Sequence, residues 1–175
     1  VFTYTGGDDA DAVTISNSYV GGGADNYVGS DGVVAFNLGN GTNSLTISTG
    51  EPTYFSLYDG TVTYTGGTGS DTIDLSTKAR VYGGSIFDFG ADTAADSLTS
   101  GTLNSGVIIR NFDPDLDTVT VGVGNSFTPS NVNLTQSGGD TLVSFEMNSG
   151  TYEFTLEGVS LTADAFEVSG DFLLL

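Results

Sequence analysis

Short stretches in which apolar and polar residues alternate recur along the whole chain and predict β-strands. Clear examples are residues 13–15, 32–38, 72–75, 141–145 and 152–156. Alternation places the apolar side chains on one face of a strand, so each strand is expected to bury that face. Clusters of Gly, Asn, Asp and Ser separate the stretches and favour turns. The pattern therefore predicts an all-β protein.

Glycine pairs divide the first part of the chain into units. They begin at residues 6, 21, 39, 66 and 83, so three of the four gaps are 15 to 18 residues long. Two nine-residue units make a coil of 18 residues, and a coil cannot bury its apolar face unless it stacks on another. We therefore predict an irregular right-handed parallel β-roll or β-helix over residues 1–105.

An internal repeat supports the stacked coils. Residues 1–16 match residues 61–76 at seven of 16 positions when they are aligned with an offset of 60. The matches include Tyr4 with Tyr64 and Asp11 with Asp71, and the apolar positions that follow are kept. Residues 1–16 are therefore predicted to form a degraded copy of the later unit.

The pattern changes from residue 106 onward. Strand-like stretches lie at residues 107–112, 118–121, 141–145 and 152–156, with turn signals at residues 137–140 and 148–150. Short turns between alternating strands are typical of hairpins. Residues 106–175 are therefore predicted to form an antiparallel β cap at the C-terminal end.

Residues 66–75 read Gly-Gly-Thr-Gly-Ser-Asp-Thr-Ile-Asp-Leu and contain the nine-residue pattern Gly-Gly-x-Gly-x-Asp-x-(large apolar)-x. This pattern is typical of calcium-binding turns in parallel β-helices. Glycines permit positive φ angles that turn carbonyl groups towards one point, and Asp71 adds a carboxylate. Carbonyl and carboxylate oxygens are the hard ligands that Ca²⁺ prefers. The alternative is an ordinary Gly-rich hairpin loop.

Other turns resemble this unit less closely. Residues 39–47 place Asn43 in the aspartate position, where an uncharged side chain predicts a weaker site. In the first copy, Asp9 replaces the third glycine. This first turn could bind a cation through Asp8, Asp9 and Asp11.

An Asp-x-Asp-x-Asp run at residues 113–117 matches the start of an EF-hand loop. The match fails further on, because Thr118 occupies the glycine position and Gly124 the final glutamate position. A turn that binds one cation through Asp113, Asp115 and Asp117 is the better interpretation.

The composition is strongly acidic. The chain contains 22 acidic residues and three basic ones, which gives a formal net charge of −19. Seventeen of the acidic residues are Asp and the others are Glu. Asp is the acidic residue that is common in turns and metal-binding loops. Much of this charge is therefore predicted to face cations, so that folding depends on Ca²⁺ or high salt. The alternative is an acidic surface of the kind found in halophiles.

Several classes of function are excluded or disfavoured. The net charge argues against binding to nucleic acid or to anionic membrane surfaces. The chain has no Cys and no His, and no apolar run of 18 residues, so it offers no disulfide, no ordinary zinc site and no membrane span. Carboxylate pairs such as Asp88 with Asp92 could serve a glycosidase, but no catalytic constellation is evident. The chain is therefore predicted not to be an enzyme.

The repeat and the C-terminal segments together resemble the C-terminal region of RTX proteins, the calcium-binding β-roll proteins exported by type I secretion. The resemblance covers the turns at residues 6–13, 39–47 and 66–74, and the segments 109–121, 139–142 and 156–159. It also covers the final residues, an acid followed by large apolar side chains. Members usually carry several perfect repeats, whereas this chain carries one.

The resemblance implies that Ca²⁺ is bound by ligands from two successive coils, loop carbonyls and the aspartate of each. By position the best candidates are Gly66, Thr68 and Asp71, followed by Gly6, Asp8 and Asp11. It also implies contact with the type I secretion apparatus during export.

Three hypotheses for function follow. The first is a secreted calcium-binding structural protein that self-assembles at the cell surface as a layer, filament or matrix. The second is the C-terminal secretion domain of a larger exported enzyme such as a protease, lipase or epimerase. The third is an adhesive or carbohydrate-binding module that uses exposed tyrosines, namely Tyr19, Tyr27, Tyr54 or Tyr58.

Overall fold

The computed structural model describes residues 2–16, 33–48, 60–75, 79–122, 130–147, 150–162, 164–169 and 172–175. Within these ranges the chain forms strands and turns and contains no helix, so none that could cross a membrane. This confirms the prediction of an all-β protein. The four tyrosines of the adhesive hypothesis lie outside the described residues.

The described strands are short, as the alternation in the sequence predicts. In chain order they are β1 (Phe2–Thr5), β2 (Ala12–Ser16), β3 (Val33–Gly39), β4 (Ser44–Ser48), β5 (Thr61–Gly66), β6 (Thr72–Asp74), β7 (Arg80–Val81), β8 (Ile86–Asp88), β9 (Ser97–Ser100), β10 (Thr102–Leu103), β11 (Val107–Arg110), β12 (Thr118–Gly122), β13 (Ser130–Ser137), β14 (Asp140–Met147), β15 (Gly150–Glu157), β16 (Glu167–Ser169) and β17 (Phe172–Leu174).

Two mixed sheets contain most of these strands. The first has the order β1-β3-β5-β8-β11-β15-β14-β13, and the second has the order β16-β17-β12-β9-β6-β4-β2. Pairing is parallel from β1 to β15 in the first sheet and from β2 to β12 in the second. It is antiparallel for β15-β14-β13 and for β12-β17-β16. The chain thus alternates between the sheets, and a small third sheet pairs β7 with β10.

Apolar side chains at equal positions of neighbouring strands stack in register. Phe36 of β3 pairs with Tyr64 of β5, which pairs with Phe87 of β8, and all three side chains are buried. The second sheet has a matching row of buried apolar residues, Leu45, Ile73, Leu98 and Val119. These rows belong to one hydrophobic cluster. Burying each large apolar side chain contributes about 1.5–3 kcal/mol, so the cluster is the main source of stability.

The coil length expected from the glycine pairs is wrong. Equivalent residues of successive turns are 32, 28, 25 and 21 residues apart, not 18. The pair at Gly83 and Gly84 lies at a different corner, before β8, where the Gly84 N–H donates to the Gly106 carbonyl at 2.9 Å. Each passage of the chain through the two sheets therefore includes a second connection, and the spacing of the glycine pairs does not reveal it.

The C-terminal part contains the expected hairpins. β14 pairs with β15 through Met147 and Gly150, which confirms the hairpin predicted there. Parallel pairing nevertheless continues past residue 106, because β11 pairs with β8 and β12 pairs with β9. The division of the chain between residues 105 and 106 stays a prediction.

Candidate metal centre: a column of stacked turns

Five turns lead from a strand of the first sheet to a strand of the second, and each ends in Asp or Asn. These residues directly precede β2, β4, β6, β9 and β12, and we call them the turn column: Asp11, Asn43, Asp71, Asp96 and Asp117. Because the strands stack in parallel, the five side chains stack as well. The Gly-rich hairpin alternative for residues 66–71 is wrong, because β5 and β6 belong to different sheets.

A continuous chain of hydrogen bonds runs through the turn column. In each step a backbone N–H donates to the side-chain Oδ1 of the next member. The distances are 3.0 Å from Asp11 to Asn43, 3.1 Å from Asn43 to Asp71, 2.6 Å from Asp71 to Asp96 and 2.8 Å from Asp96 to Asp117. One side-chain oxygen of every acceptor is thereby satisfied.

The second side-chain atom differs from turn to turn. Asp11 Oδ2 accepts the Gly7 N–H at 3.0 Å, and Asp117 Oδ2 accepts the Asp113 N–H at 2.7 Å. Asn43 Nδ2 donates to the carbonyls of Gly39 and Gly41, at 3.1 Å each. Asp71 Oδ2 is buried and has no hydrogen-bond partner.

Four of the five members of the column are buried, although three of these four are acids. Asp71 is 1% exposed, Asp96 3% and Asp117 5%. Burial raises the pKa of all three carboxyls, and it raises that of Asp96 to about 7 despite the hydrogen bond from the Asp71 N–H. The negative charges of Asp117, Asp71 and Asp92 add to the rise at Asp96. Ionised carboxylates at these positions are therefore unfavourable unless a cation accompanies them.

A tyrosine accompanies two of the aspartates, as the internal repeat predicts. The Tyr4 hydroxyl donates to Asp11 Oδ1 at 3.2 Å. Tyr64 is fully buried, and burial followed by the charge of Asp71 raises its pKa. The hydroxyl of Tyr64 lies beside the Asp71 carboxyl, but neither this hydroxyl nor Asp71 Oδ2 has a partner with hydrogen-bond geometry.

Glycine is required in the intact turn for two different reasons. Gly69 has a positive φ of 116°, as the sequence predicts. Gly66 and Gly67 do not, and they are needed because the turns approach closely. A Cβ on Gly66 would lie 2.2 Å from Asp71 Oδ2 and 2.8 Å from the Phe89 carbonyl oxygen. The expectation that all three glycines serve positive φ angles is therefore wrong for Gly66 and Gly67.

The candidate ligands fall into three separate turns of the same column. Gly66, Thr68 and Asp71 lie between β5 and β6; Gly6, Asp8, Asp9 and Asp11 lie between β1 and β2; and Asp113, Asp115 and Asp117 lie between β11 and β12. The first two groups are not in successive coils, since the turn of Asn43 separates them.

Several candidates already make other contacts. The Thr68 carbonyl accepts the Gly41 N–H at 2.7 Å, and Asp8 Oδ1 accepts Asn40 Nδ2 at 2.9 Å. Asp113 Oδ1 accepts the Asp115 N–H at 2.9 Å, whereas Asp9 and Asp115 are exposed. Of the ligands predicted from the sequence, Asp11, Asp71 and Asp117 belong to the turn column.

Sequence reasoning missed Asp96, the buried member between Asp71 and Asp117, and also Asp92. Asp92 Oδ2 accepts the Gly69 N–H at 2.6 Å and so links two turns. A signal for the column was present in the residues after each turn, which follow one pattern: Asp or Asn, then a small residue, then a large apolar residue. The members are Asp11-Ala12-Val13, Asn43-Ser44-Leu45, Asp71-Thr72-Ile73, Asp96-Ser97-Leu98 and Asp117-Thr118-Val119.

The residues at the intact turn fit a hard cation held by carboxylate and carbonyl oxygens. The fit rests on Asp71 Oδ2, a buried acceptor without a donor in a turn rich in backbone carbonyls. Within the described ranges, no group of three or more His, Cys, Asp or Glu side chains is placed to hold a metal ion by itself. Backbone carbonyls would therefore have to supply part of the coordination.

No family model matches this chain, and no curated protein or solved structure matches it.

The carboxylate pairs considered for a glycosidase are engaged in turn contacts. Asp88 Oδ1 accepts the Gly90 N–H and Asn111 Nδ2, and Asp92 Oδ1 accepts the Ala94 N–H. These are contacts of turn residues, and the prediction that the chain is not an enzyme stays a prediction.

Proposed function

We propose that this chain is a secreted, calcium-binding structural protein that folds and assembles outside the cell. The observation that carries the proposal is Asp71 Oδ2, which is buried and unpartnered within a column of buried carboxylates. A buried polar group without a partner costs about 1–3 kcal/mol, and a charged one costs more. A cation bound at the turn would offset that cost.

Calcium is the cation that suits these ligands. Carboxylate and carbonyl oxygens are its preferred donors, and its flexible coordination tolerates irregular turns better than Mg²⁺ does. The chain has three basic residues, and one of them, Arg110, pairs with Glu157 on the surface at 3.1 Å. Protein cations are therefore too few to neutralise the acidic residues, and a metal ion from solution is the natural source of positive charge.

The fold proposed with this function is a right-handed β-roll followed by an antiparallel cap. Support comes from the alternation of successive strands between two sheets and from the in-register parallel pairing within each sheet. Parallel crossover connections are right-handed in nearly all proteins, which supplies the handedness. Calcium in the turns would then join neighbouring coils.

Self-association is supported by β1, beyond which the first sheet has no further strand within the described residues. β1 is the outer described strand of the first sheet, and Phe2 is 51% exposed there. Unpaired parallel edges readily receive a further strand. In the alternative function, the secretion domain of a larger exported enzyme, the same edge would receive a further coil of that enzyme. Export by a type I apparatus rests on the family resemblance.

Calcium dependence is the first test. In a chelator at neutral pH we expect the urea midpoint of the β-structure, followed by circular dichroism, to be lowered, and to rise again when Ca²⁺ is added at about 10 mM, roughly tenfold above the dissociation constants of weak extracellular sites. Mg²⁺ and NaCl at matched ionic strength serve as controls. Equal recovery with NaCl would indicate simple charge screening and would support the halophile-like alternative instead. Sedimentation of the folded protein tests assembly, and a strict monomer in Ca²⁺ would contradict that part.

A further inference from the structure

The turn that contains Asn43 is the one in the column that supplies its own donor. Asn43 is 2% exposed, and its side-chain Nδ2 donates to two backbone carbonyls of its own turn, those of Gly39 and Gly41. Both distances are 3.1 Å. A positively polarised group therefore lies among the carbonyl oxygens of this turn.

The corresponding atom of the next turn is an oxygen. Asp71 occupies the same position, because the Asn43 N–H donates to Asp71 Oδ1 just as the Asp11 N–H donates to Asn43 Oδ1. Asp71 Oδ2 cannot donate when the carboxylate is ionised, and it has no partner. At this position the two turns thus differ by a single group, an amide NH₂ in one and a carboxylate oxygen in the other.

We propose that the Asn43 side-chain amide takes the place of a bound cation in its turn. This inference rests on the proposed function, since it assumes that the aspartate turns take calcium. The Asn43 turn then closes without metal and separates the first turn, with Asp11, from the acidic run of Asp71, Asp96 and Asp117. Calcium binds on either side of Asn43 and not at it.

Reciprocal substitutions test the proposal. Asn43→Asp replaces the amide by a carboxylate, and we expect roughly one additional calcium ion per chain and a lower denaturant midpoint in chelator. Asp71→Asn supplies an amide to the intact turn, so we expect the loss of roughly one calcium ion and a higher midpoint in chelator. Isothermal titration calorimetry gives the stoichiometry, and urea unfolding in chelator gives the midpoint.

Asn133→Asp is the matched control for charge. Asn133 is exposed on β13, at the opposite end of the first sheet from β1, and its side-chain amide donates to the Asn131 carbonyl of its own strand. The substitution adds the same negative charge as Asn43→Asp, so we expect the calcium stoichiometry of the unsubstituted chain. An additional ion in this variant would show that the gain at position 43 reflects general charge and would overturn the proposal.

The outcomes separate this inference from the proposed function. If the unsubstituted chain binds calcium but Asn43→Asp binds no more, and Asp71→Asn is no more stable in chelator, the role of Asn43 is wrong while the calcium function stands. If the unsubstituted chain binds none but Asn43→Asp does, the cation-substitute role stands and the proposed function is wrong. If neither binds calcium, both are wrong.

Discussion

Gly67→Ala is expected to destabilise the calcium-loaded chain by about 3 kcal/mol or more, the upper range for overpacking a close contact. A Cβ on Gly67 would lie 2.5 Å from the carbonyl oxygen of Gly39 and 2.6 Å from its carbonyl carbon. These are backbone atoms of the neighbouring turn, so they cannot move aside as a side chain could. Relief requires separating the two neighbouring turns, which also disturbs the hydrogen bond from the Asn43 N–H to Asp71 Oδ1.

Gly7→Ala is the matched control, because Gly7 is the second glycine of the equivalent pair in the first turn. A Cβ there would meet nothing within 4 Å, and Gly7 does not have a positive φ. Replacing a glycine at such a position reduces the entropy of the unfolded chain and stabilises by about 0.4–1 kcal/mol. Urea unfolding of both variants in saturating Ca²⁺ measures the difference. Equal stability of the two would contradict the close stacking of the turns.

The contrast between Gly7 and Gly67 illustrates what the sequence could predict. The offset of 60 correctly identified equivalent positions: Cβ atoms on Gly6 and on Gly66 would lie 2.0 Å and 2.2 Å from Oδ2 of the aspartate in their own turns. It could not tell that the first turn lies at the end of the described stack, because that depends on which strands pair.

Asp96 was missed for a related reason. The turn before it is lengthened by residues between Gly90 and Asp96 and lacks the Gly-Gly-x-Gly pattern, so a search for the motif passes over it. The next turn contains no glycine, and the left-handed φ of 56° falls on Asn111 instead. The alternation of apolar residues predicted the strands because it reflects burial. The turns diverge in length and composition, and the feature that all five keep is the Asp or Asn at their last position.

In the absence of calcium, the stability of the chain is expected to fall as pH rises from about 4 to about 7. The cause is Asp96, whose pKa is raised from 3.8 to about 7 chiefly by burial. Between these values the folded state keeps a proton that the unfolded state has lost, so each rise in pH favours unfolding. At about 1.4 kcal/mol per pKa unit the fall amounts to on the order of 4 kcal/mol, and it ends above the folded pKa.

The neighbours of Asp96 act in the same direction. Burial also raises the pKa of Asp71 and Asp117, and the charges of Asp71, Asp117 and Asp92 oppose ionisation of Asp96. Surface carboxyls with ordinary pKa values finish titrating by about pH 5. The slope between pH 5 and 7 therefore reports the buried column and not the general negative charge.

Asp96→Asn tests the assignment, since an amide keeps the acceptor for the Asp71 N–H but does not titrate. Urea midpoints in chelator at several pH values should show a shallower fall between pH 5 and 7 in this variant. An unchanged slope would place the titration elsewhere.

Calcium should reverse the trend in the unsubstituted chain, because metal binding requires ionised carboxylates and releases protons. Under the proposed function, protons and calcium compete for the same buried carboxylates, so the calcium-loaded protein should gain stability over the pH range in which the calcium-free protein loses it.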